Sequence, residues 1–181
     1  MKIATCIYQG KPYVGQVSEQ DQTIQLFEVS EEEHQAGALS LILKQSQPKL
    51  SSRLLSLKEV SLTAPIPKPR RNLFCVGRNY HAHAKELQAS VFKDSNTDTK
   101  AWPIVFTKVP ECVVGPKDDV HLPGAAISDQ IDYEAELAVV IGKGGKNISQ
   151  ADAMSHVFGY TVVNDVTARD VQMRHQQWDM G

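Results

Sequence analysis

Three acidic residues alternate along one apolar segment, and their type and spacing suit the binding of a cation. Asp132, Glu134 and Glu136 occupy every second position at the start of the sequence DYEAELAVVI, residues 132–141. Because side chains alternate between the faces of a strand, these three would share one face, and the residues between them the other. Carboxylates buried together need a proton or a counter-charge, and oxygen ligands suit Mg²⁺, Mn²⁺ or Ca²⁺. The segment indicates either a divalent-cation site or a solvent-facing acidic edge of an antiparallel sheet.

A further carboxylate follows the next β-branched segment. The sequence GYTVVND, residues 159–165, predicts a strand that ends at Asn164 and Asp165. A carboxylate at a strand end, just before a helix, is a common position for a ligand. Asp165 could therefore complete a set of three carboxylates with Glu134 and Glu136, and the alternative is an ordinary helix N-cap.

The polar segment 167–177 is predicted to be helical, and two polar residues follow Asp165 at helical spacing. Arg169 and Gln172 come four and seven residues later, so in a helix all three would project from one face. A guanidinium can hold a carboxylate through two parallel hydrogen bonds. Arg169 could bind an acidic substrate in this way, or it could pair with Asp165 or Asp170.

A histidine and a glutamate form a candidate acid–base pair. His83 and Glu86, in the sequence GRNYHAHAKE, are three residues apart and would touch on a helix. A carboxylate beside an imidazole raises its basicity and selects its tautomer, which suits a general base. The alternative is a surface ion pair, and His81 is a competing candidate on another helix face. The polar segment 90–100, which lacks periodicity, is a candidate lid.

The segments around these residues predict a small unit followed by a larger one. Two short strands around the turn Gln9-Gly10-Lys11-Pro12, a third strand at 23–27 and a Ser30–Glu33 capping box are expected in the first part. The proline-rich sequence APIPKPRR, residues 64–71, cannot form a helix and favours an extended connector. We therefore divide the chain into residues 1–63, a linker at 64–71, and residues 72–181.

Composition excludes several classes of protein. Hydrophobic residues make up 41% and charged residues 22% of the 181 residues, as in soluble globular proteins. The net charge of −2 offers no basic surface for nucleic acid or a membrane, and no apolar run has the length of a membrane span. Cys6, Cys75 and Cys112 are widely spaced and match no disulfide framework, which favours a reducing compartment. A cytoplasmic location is expected.

Four segments together resemble the fumarylacetoacetate hydrolase family, and they occur in that family's order. They are GRNYHAHAKE at 77–86, PIVFTK at 103–108, DYEAELAVVIG at 132–142 and GYTVVNDVTARDVQ at 159–172. The resemblance runs from about residue 64 to residue 181, and the first 60 residues resemble the small N-terminal domain of many bacterial members. It implies a β-rich α/β fold, with rolled mixed β-sheets and a small N-terminal α+β domain.

The resemblance also implies roles for individual residues. The metal, usually Mg²⁺ or Mn²⁺, would be held by Glu134, Glu136 and Asp165. His83 and Glu86 match the catalytic dyad. Three further residues match positions near the bound oxo acid: Lys108, Arg169 and Gln172.

Family members act on small 2-oxo and β-diketo acids, and most are homodimers. The resemblance therefore implies C–C bond hydrolysis of acylpyruvates, decarboxylation of oxaloacetate, or tautomerisation and isomerisation of 2-oxo acids, each through a metal-stabilised enolate. The family's catalytic domain continues past the position of Gly181, so the chain is expected to be incomplete at its C-terminus. The alternative function is a catalytically inactive fragment or binding module on the same scaffold.

Overall fold

A computed structural model describes residues 1–44, 48–77, 79–80, 102–175 and 177–181 of the chain. Strands dominate this described part and the helices are short, which confirms the β-rich α/β fold class. All strand pairings in the described residues are antiparallel. No helix among the described residues is long and apolar enough to cross a membrane.

The N-terminal part forms one five-stranded sheet with the strand order β4-β3-β2-β1-β5. Its strands are β1 (Ile3–Tyr8), β2 (Lys11–Ser18), β3 (Thr23–Phe27), β4 (Leu50–Ser56) and β5 (Ser61–Leu62). The first hairpin closes around Gln9 and Gly10, which have φ angles of 49° and 77°. Positive φ at both central residues matches the twist of a two-residue hairpin. The hairpin expected from sequence is confirmed, but its turn is two residues shorter than expected, because Lys11 and Pro12 already belong to β2.

Two short helices, α1 (Glu31–Ala36) and α2 (Ala38–Lys44), pack against this sheet. The predicted capping box is present, because the Glu33 amide donates to Ser30 Oγ and the Ser30 amide donates to a Glu33 carboxylate oxygen. The core consists of two clusters of apolar side chains. One contains Cys6, Ile24, Leu26 and Leu55, and the other contains Val14, Phe27 and Leu41.

Gly37, between the two helices, has a backbone that a larger residue would not fit. Its φ is 60°, and a Cβ there would lie 2.5 Å from Thr5 Oγ1 and 2.7 Å from Pro65 O. We expect Gly37→Ala to lower the free energy of unfolding by about 2–4 kcal/mol, through positive φ and a backbone clash together. Gly10→Ala is the matched control, with positive φ but open space around it, and should cost about 1 kcal/mol. If urea unfolding gave the same loss of free energy of unfolding for Gly37→Ala and Gly10→Ala, the clash at Gly37 would be contradicted.

The C-terminal part contains three two-stranded ribbons and one further helix in the described residues. The ribbons pair β6 (Leu73–Gly77) with β7 (Ile104–Lys108), β8 (Ile131–Asp132) with β11 (Thr167–Ala168), and β9 (Ala135–Ile141) with β10 (Val157–Asn164). Helix α3 spans Arg169–His175, and 3₁₀ turns lie at Pro110–Cys112, Ala153–His156 and Trp178–Met180.

The segment expected as one strand at 132–141 is divided in the structure. Strand β8 ends at Asp132 and β9 begins at Ala135, and their pairings with β11 and β10 keep the same register across the interruption. Asp132 lies opposite Thr167 and Ala135 lies opposite Asn164, so two residues on each chain segment stand outside the strands. The helix expected at 167–177 begins only at Arg169, because residues 167–168 pair as β11.

In the β9–β10 ribbon, the face with the acidic side chain is the more buried one, and the apolar face is the more exposed one. Glu136 in β9 and Glu134 just before it are both partly shielded from solvent. Large apolar side chains are exposed on the opposite face: Leu137, Val139, Ile141, Phe158, Tyr160 and Val162. The alternation expected from sequence is therefore confirmed, and the solvent-facing acidic edge is not the arrangement that the structure adopts.

Candidate metal and substrate site

The gap between β8 and β9 brings two of the predicted ligands side by side. The backbone amide of Asp165 donates to the carbonyl of Glu134 at 2.9 Å. The Glu134 amide in turn donates to Asn164 Oδ1 at 3.0 Å. These bonds hold the two acidic residues at neighbouring strand ends, outside the regular pairing. The register on either side places Glu134 directly opposite Asp165.

Lys108 compensates the charge of Asp165. It is the last residue of β7, and its Nζ lies 3.1 Å from Asp165 Oδ1. The same ammonium group donates to the carbonyls of Val166, at 3.3 Å, and Gly181, at 3.2 Å. The two side chains are only 17% and 11% exposed, so water screens this pair less than a surface pair. The sequence assigned both residues to the site without predicting that they pair.

Arg169 compensates the charges of Asp132 and Glu134. Its Nε and Nη2 both lie 3.0 Å from Asp132 Oδ2, and Nη2 also contacts Glu134 Oε1. Its Nη1 donates to Gln172 Oε1 at 3.2 Å, and Gln172 is buried. The pairing with Asp165 or Asp170 that was considered from sequence is therefore wrong. Arg169 pairs with Asp132 instead. The pairing of β8 with β11 places Asp132 opposite Thr167, and Thr167 precedes Arg169 by two residues.

The start of α3 is attached to the segment before β8. The Arg169 amide donates to Gln130 O at 2.9 Å, and the buried Ser128 hydroxyl donates to Asp170 Oδ1 at 2.5 Å. The hydrogen bond from the Ser128 hydroxyl lowers the pKa of the Asp170 carboxyl, desolvation opposes this effect, and the hydrogen bond from the Val171 amide adds to the lowering. Asp170 therefore stays ionised at neutral pH and anchors the helix whose first residue is Arg169.

Cys75 lies within electrostatic range of Glu136, Asp165 and Lys108. Glu136 stands opposite Val163 in the β9–β10 register. Burial raises the pKa of the Cys75 thiol to about 11, and the negative charges of Asp165 and Glu136 add to this effect while Lys108 opposes it. The thiol is therefore protonated at neutral pH, and a thiolate nucleophile at this position is excluded.

Five of the predicted site residues form one continuous network. It runs by direct contacts from Lys108 through Asp165, Glu134 and Arg169 to Gln172. His83 and Glu86 lie outside the residues that the structure describes. Sequence reasoning missed the contact of Asp132 with Arg169, because the signal for it is the register of β8 and β11, which one sequence does not reveal.

The carboxylates suit a hard divalent cation by their chemistry, although Glu134 and Asp165 here pair with cationic side chains of the protein. Glu134, Glu136 and Asp165 offer only oxygen donors and negative charge in a half-buried setting, which is the preference of Mg²⁺, Mn²⁺ and Ca²⁺. Within the described ranges, no group of three or more His, Cys, Asp or Glu side chains is arranged to hold a metal ion. The guanidinium of Arg169 and the ammonium of Lys108 balance the negative charges of Glu134 and Asp165. The ligand assignment stays a prediction.

A family comparison identifies the class to which the chain belongs. Residues 72–181 match the family described as fumarylacetoacetate (FAA) hydrolase C-terminal. This match covers more than half of the chain and contains all of the predicted site residues. The chain therefore belongs to the fumarylacetoacetate hydrolase family, and the resemblance inferred from its motifs is confirmed.

Curated relatives are similar over most of the chain. The chain is 50% identical over 138 residues to oxaloacetate tautomerase YisK of Bacillus subtilis, an alignment covering 76% of this chain and 44% of that protein. It is 46% identical over 130 residues to human mitochondrial oxaloacetate tautomerase FAHD2A, covering 71% and 38%. The chain thus spans less than half the length of these relatives.

Solved structures of the family share the fold. A fumarylacetoacetate hydrolase from Exiguobacterium antarcticum superposes with a TM-score of 0.75 at 32% identity, covering 98% of this chain and 60% of that one. A 2-hydroxyhepta-2,4-diene-1,7-dioate isomerase from Mycobacterium marinum gives a TM-score of 0.69 at 27% identity, covering 98% and 59%.

Proposed function

We propose that the protein is a divalent-metal-dependent enzyme of small 2-oxo acids, and that its reaction is the tautomerisation of oxaloacetate. Relatives named as oxaloacetate tautomerases, at 50% and 46% identity, support the substrate and the reaction. Hydrolysis of acylpyruvates and decarboxylation of oxaloacetate use the same enolate chemistry and are the alternatives at this site.

One observation carries the proposal. The hydrogen bond of 2.9 Å from the Asp165 amide to the Glu134 carbonyl holds two acidic residues together where both strands are interrupted. The side chains of Asp165 and Glu134 are 11% and 16% exposed, and each contacts a cationic side chain. Such a half-buried set of acids and bases, in which every charge needs a partner, is typical of an active site.

The chain's own residues would bind and orient the substrate. Arg169 presents a planar guanidinium that suits two-point contact with a carboxylate, and the buried amide of Gln172 holds it in place. Lys108, which is 17% exposed, would bring a second positive charge to a dianionic substrate. A divalent cation held by Glu134, Glu136 and Asp165 would supply positive charge that stabilises the enolate form of the substrate.

Proton transfer is assigned to the predicted dyad. In the tautomerisation, His83 paired with Glu86 would take a proton from C3 of oxaloacetate, and a proton would be delivered to the 2-oxo oxygen. The C–C bonds stay intact and no water is consumed. Hydrolysis would instead require the same imidazole to activate a water molecule.

The test is a panel of oxaloacetate and acylpyruvates, followed by ultraviolet absorbance of the enol, with Mg²⁺, Mn²⁺ or a chelator. Product analysis separates the reactions, since tautomerisation forms no pyruvate, decarboxylation forms pyruvate and CO₂, and hydrolysis forms pyruvate and a second acid. We expect metal-dependent equilibration of oxaloacetate without loss of CO₂. Equal rates with metal and with chelator would exclude the proposal.

Two further expectations accompany the proposal. The protein is expected to be a homodimer, as most members of the family are, and to be located in the cytoplasm. Its composition and its separate cysteines support a reducing compartment.

A further inference from the structure

The guanidinium of Arg169 is nearly saturated by contacts with the protein. A guanidinium has five N–H donors. In the described residues, Nε–H and one Nη2–H point to Asp132, the other Nη2–H points to Glu134, and one Nη1–H points to Gln172. A two-point contact with a substrate carboxylate therefore requires at least one of these contacts to be released.

The residues that accept hydrogen bonds from Arg169 have different proposed roles. Asp132 is 47% exposed and is not one of the three proposed metal ligands, and it accepts from two nitrogens through a single oxygen. Glu134 is 16% exposed and is a proposed ligand. A cation bound to Glu134 would stand close to the Arg169 charge, and like charges at such distances repel by several kcal/mol even at an effective dielectric constant of about 20.

We propose that Arg169 competes with the divalent cation for Glu134, so that metal binding releases the guanidinium from Glu134 for an anionic ligand. This inference rests on the proposed function. Asp132 keeps the released guanidinium beside the site, because its two contacts of 3.0 Å do not involve Glu134. The two interactions are coupled reciprocally. The contact between Arg169 and Glu134 lowers the affinity of the site for metal, and bound metal weakens that contact by the same factor.

The test measures Mn²⁺ affinity by calorimetry in variants of Arg169. Arg169→Gln removes the competing charge and should tighten Mn²⁺ binding about tenfold, a change of about 1.4 kcal/mol. Arg169→Lys keeps the charge but lacks the planar fork that bridges two carboxylates, so an intermediate tightening is expected. The rise in melting temperature on adding Mn²⁺ should be larger in Arg169→Gln than in the unaltered protein.

Arg174→Gln is the matched control for charge alone. Arg174 is an exposed arginine on the same helix, and its charge acts on Asp170. We expect its Mn²⁺ affinity to stay within about twofold of the unaltered protein, because exposed charges are screened by salt. Unchanged or weaker Mn²⁺ binding in both Arg169 variants would overturn the competition, as would equal tightening in Arg174→Gln.

A further variant separates this inference from the function on which it rests. If Glu134→Gln binds Mn²⁺ as tightly as the unaltered protein does, the metal site is misassigned, and the competition is wrong with it. If Glu134→Gln loses Mn²⁺ while neither Arg169 variant gains affinity, the metal site stands and only the competition is wrong.

Discussion

Replacing Glu134 and Glu136 together by glutamine is expected to abolish Mn²⁺ binding, with an affinity loss of at least about 100-fold, and to abolish turnover with it. The change removes two negative charges and leaves two neutral amide oxygens on the same half-buried face of β9 and its preceding gap. Hard divalent cations prefer charged oxygen ligands, so the single remaining carboxylate of Asp165 would bind them weakly. Calorimetry with Mn²⁺ measures the effect, and circular dichroism shows whether the variant is folded.

The control for this double variant is the pair Glu28→Gln and Glu32→Gln. Both residues are exposed and belong to the N-terminal part, and their replacement removes the same formal charge outside the segments that carry the proposed ligands. We expect Mn²⁺ affinity in this control to change by less than about threefold, since exposed charges are screened by salt. Retention of Mn²⁺ affinity in the Glu134 and Glu136 variant would show that these residues are not the ligands.

Replacing His83 by alanine is expected to lower kcat by about 10²- to 10⁴-fold while Mn²⁺ affinity is kept. This is the range that positioned acid–base groups contribute to proton transfer. His83 lies outside the described residues, so the expectation rests on its spacing from Glu86 and on the family motif. Steady-state rates of oxaloacetate tautomerisation, together with Mn²⁺ titration, measure the two effects separately.

His81→Ala is the matched control, because the two histidines are two residues apart and both were candidates from sequence. We expect it to keep most of the activity. A large loss in His81→Ala with little change in His83→Ala would assign the base to His81. A loss of Mn²⁺ affinity in His83→Ala would mean that the imidazole acts at the metal and not in proton transfer.

Several elements were predictable because their causes are local in the sequence. The hairpin around Gln9 and Gly10 follows from the positive φ that such a turn requires. The capping box of Ser30 and Glu33 satisfies backbone groups within one helical turn. Strand β3 was expected at 23–27 and is found at Thr23–Phe27. Each of these depends on residues that are neighbours along the chain.

Elements at the site were predicted less well because they depend on pairing between distant segments. Residues 132–141 have the composition of one strand, and the structure interrupts it at residues 133–134, opposite residues 165–166, without a change of register. Residues 167–168 were expected in a helix, and only their pairing with β8 makes them a strand. Local propensity is a weak prior when tertiary contacts compete with it.

The sequence by itself determined the acidic character of the site and the family to which the chain belongs. Alternation along a strand placed Glu134 and Glu136 on one face, and the strand end at Asp165 supplied the third carboxylate. Only the tertiary structure decided which positively charged side chains pair with the acidic residues of the site. Lys108 reaches Asp165 across 57 positions of the chain, and Arg169 reaches Asp132 across 37. Such partners are set by strand register, a property of two segments at once, which neither segment determines alone.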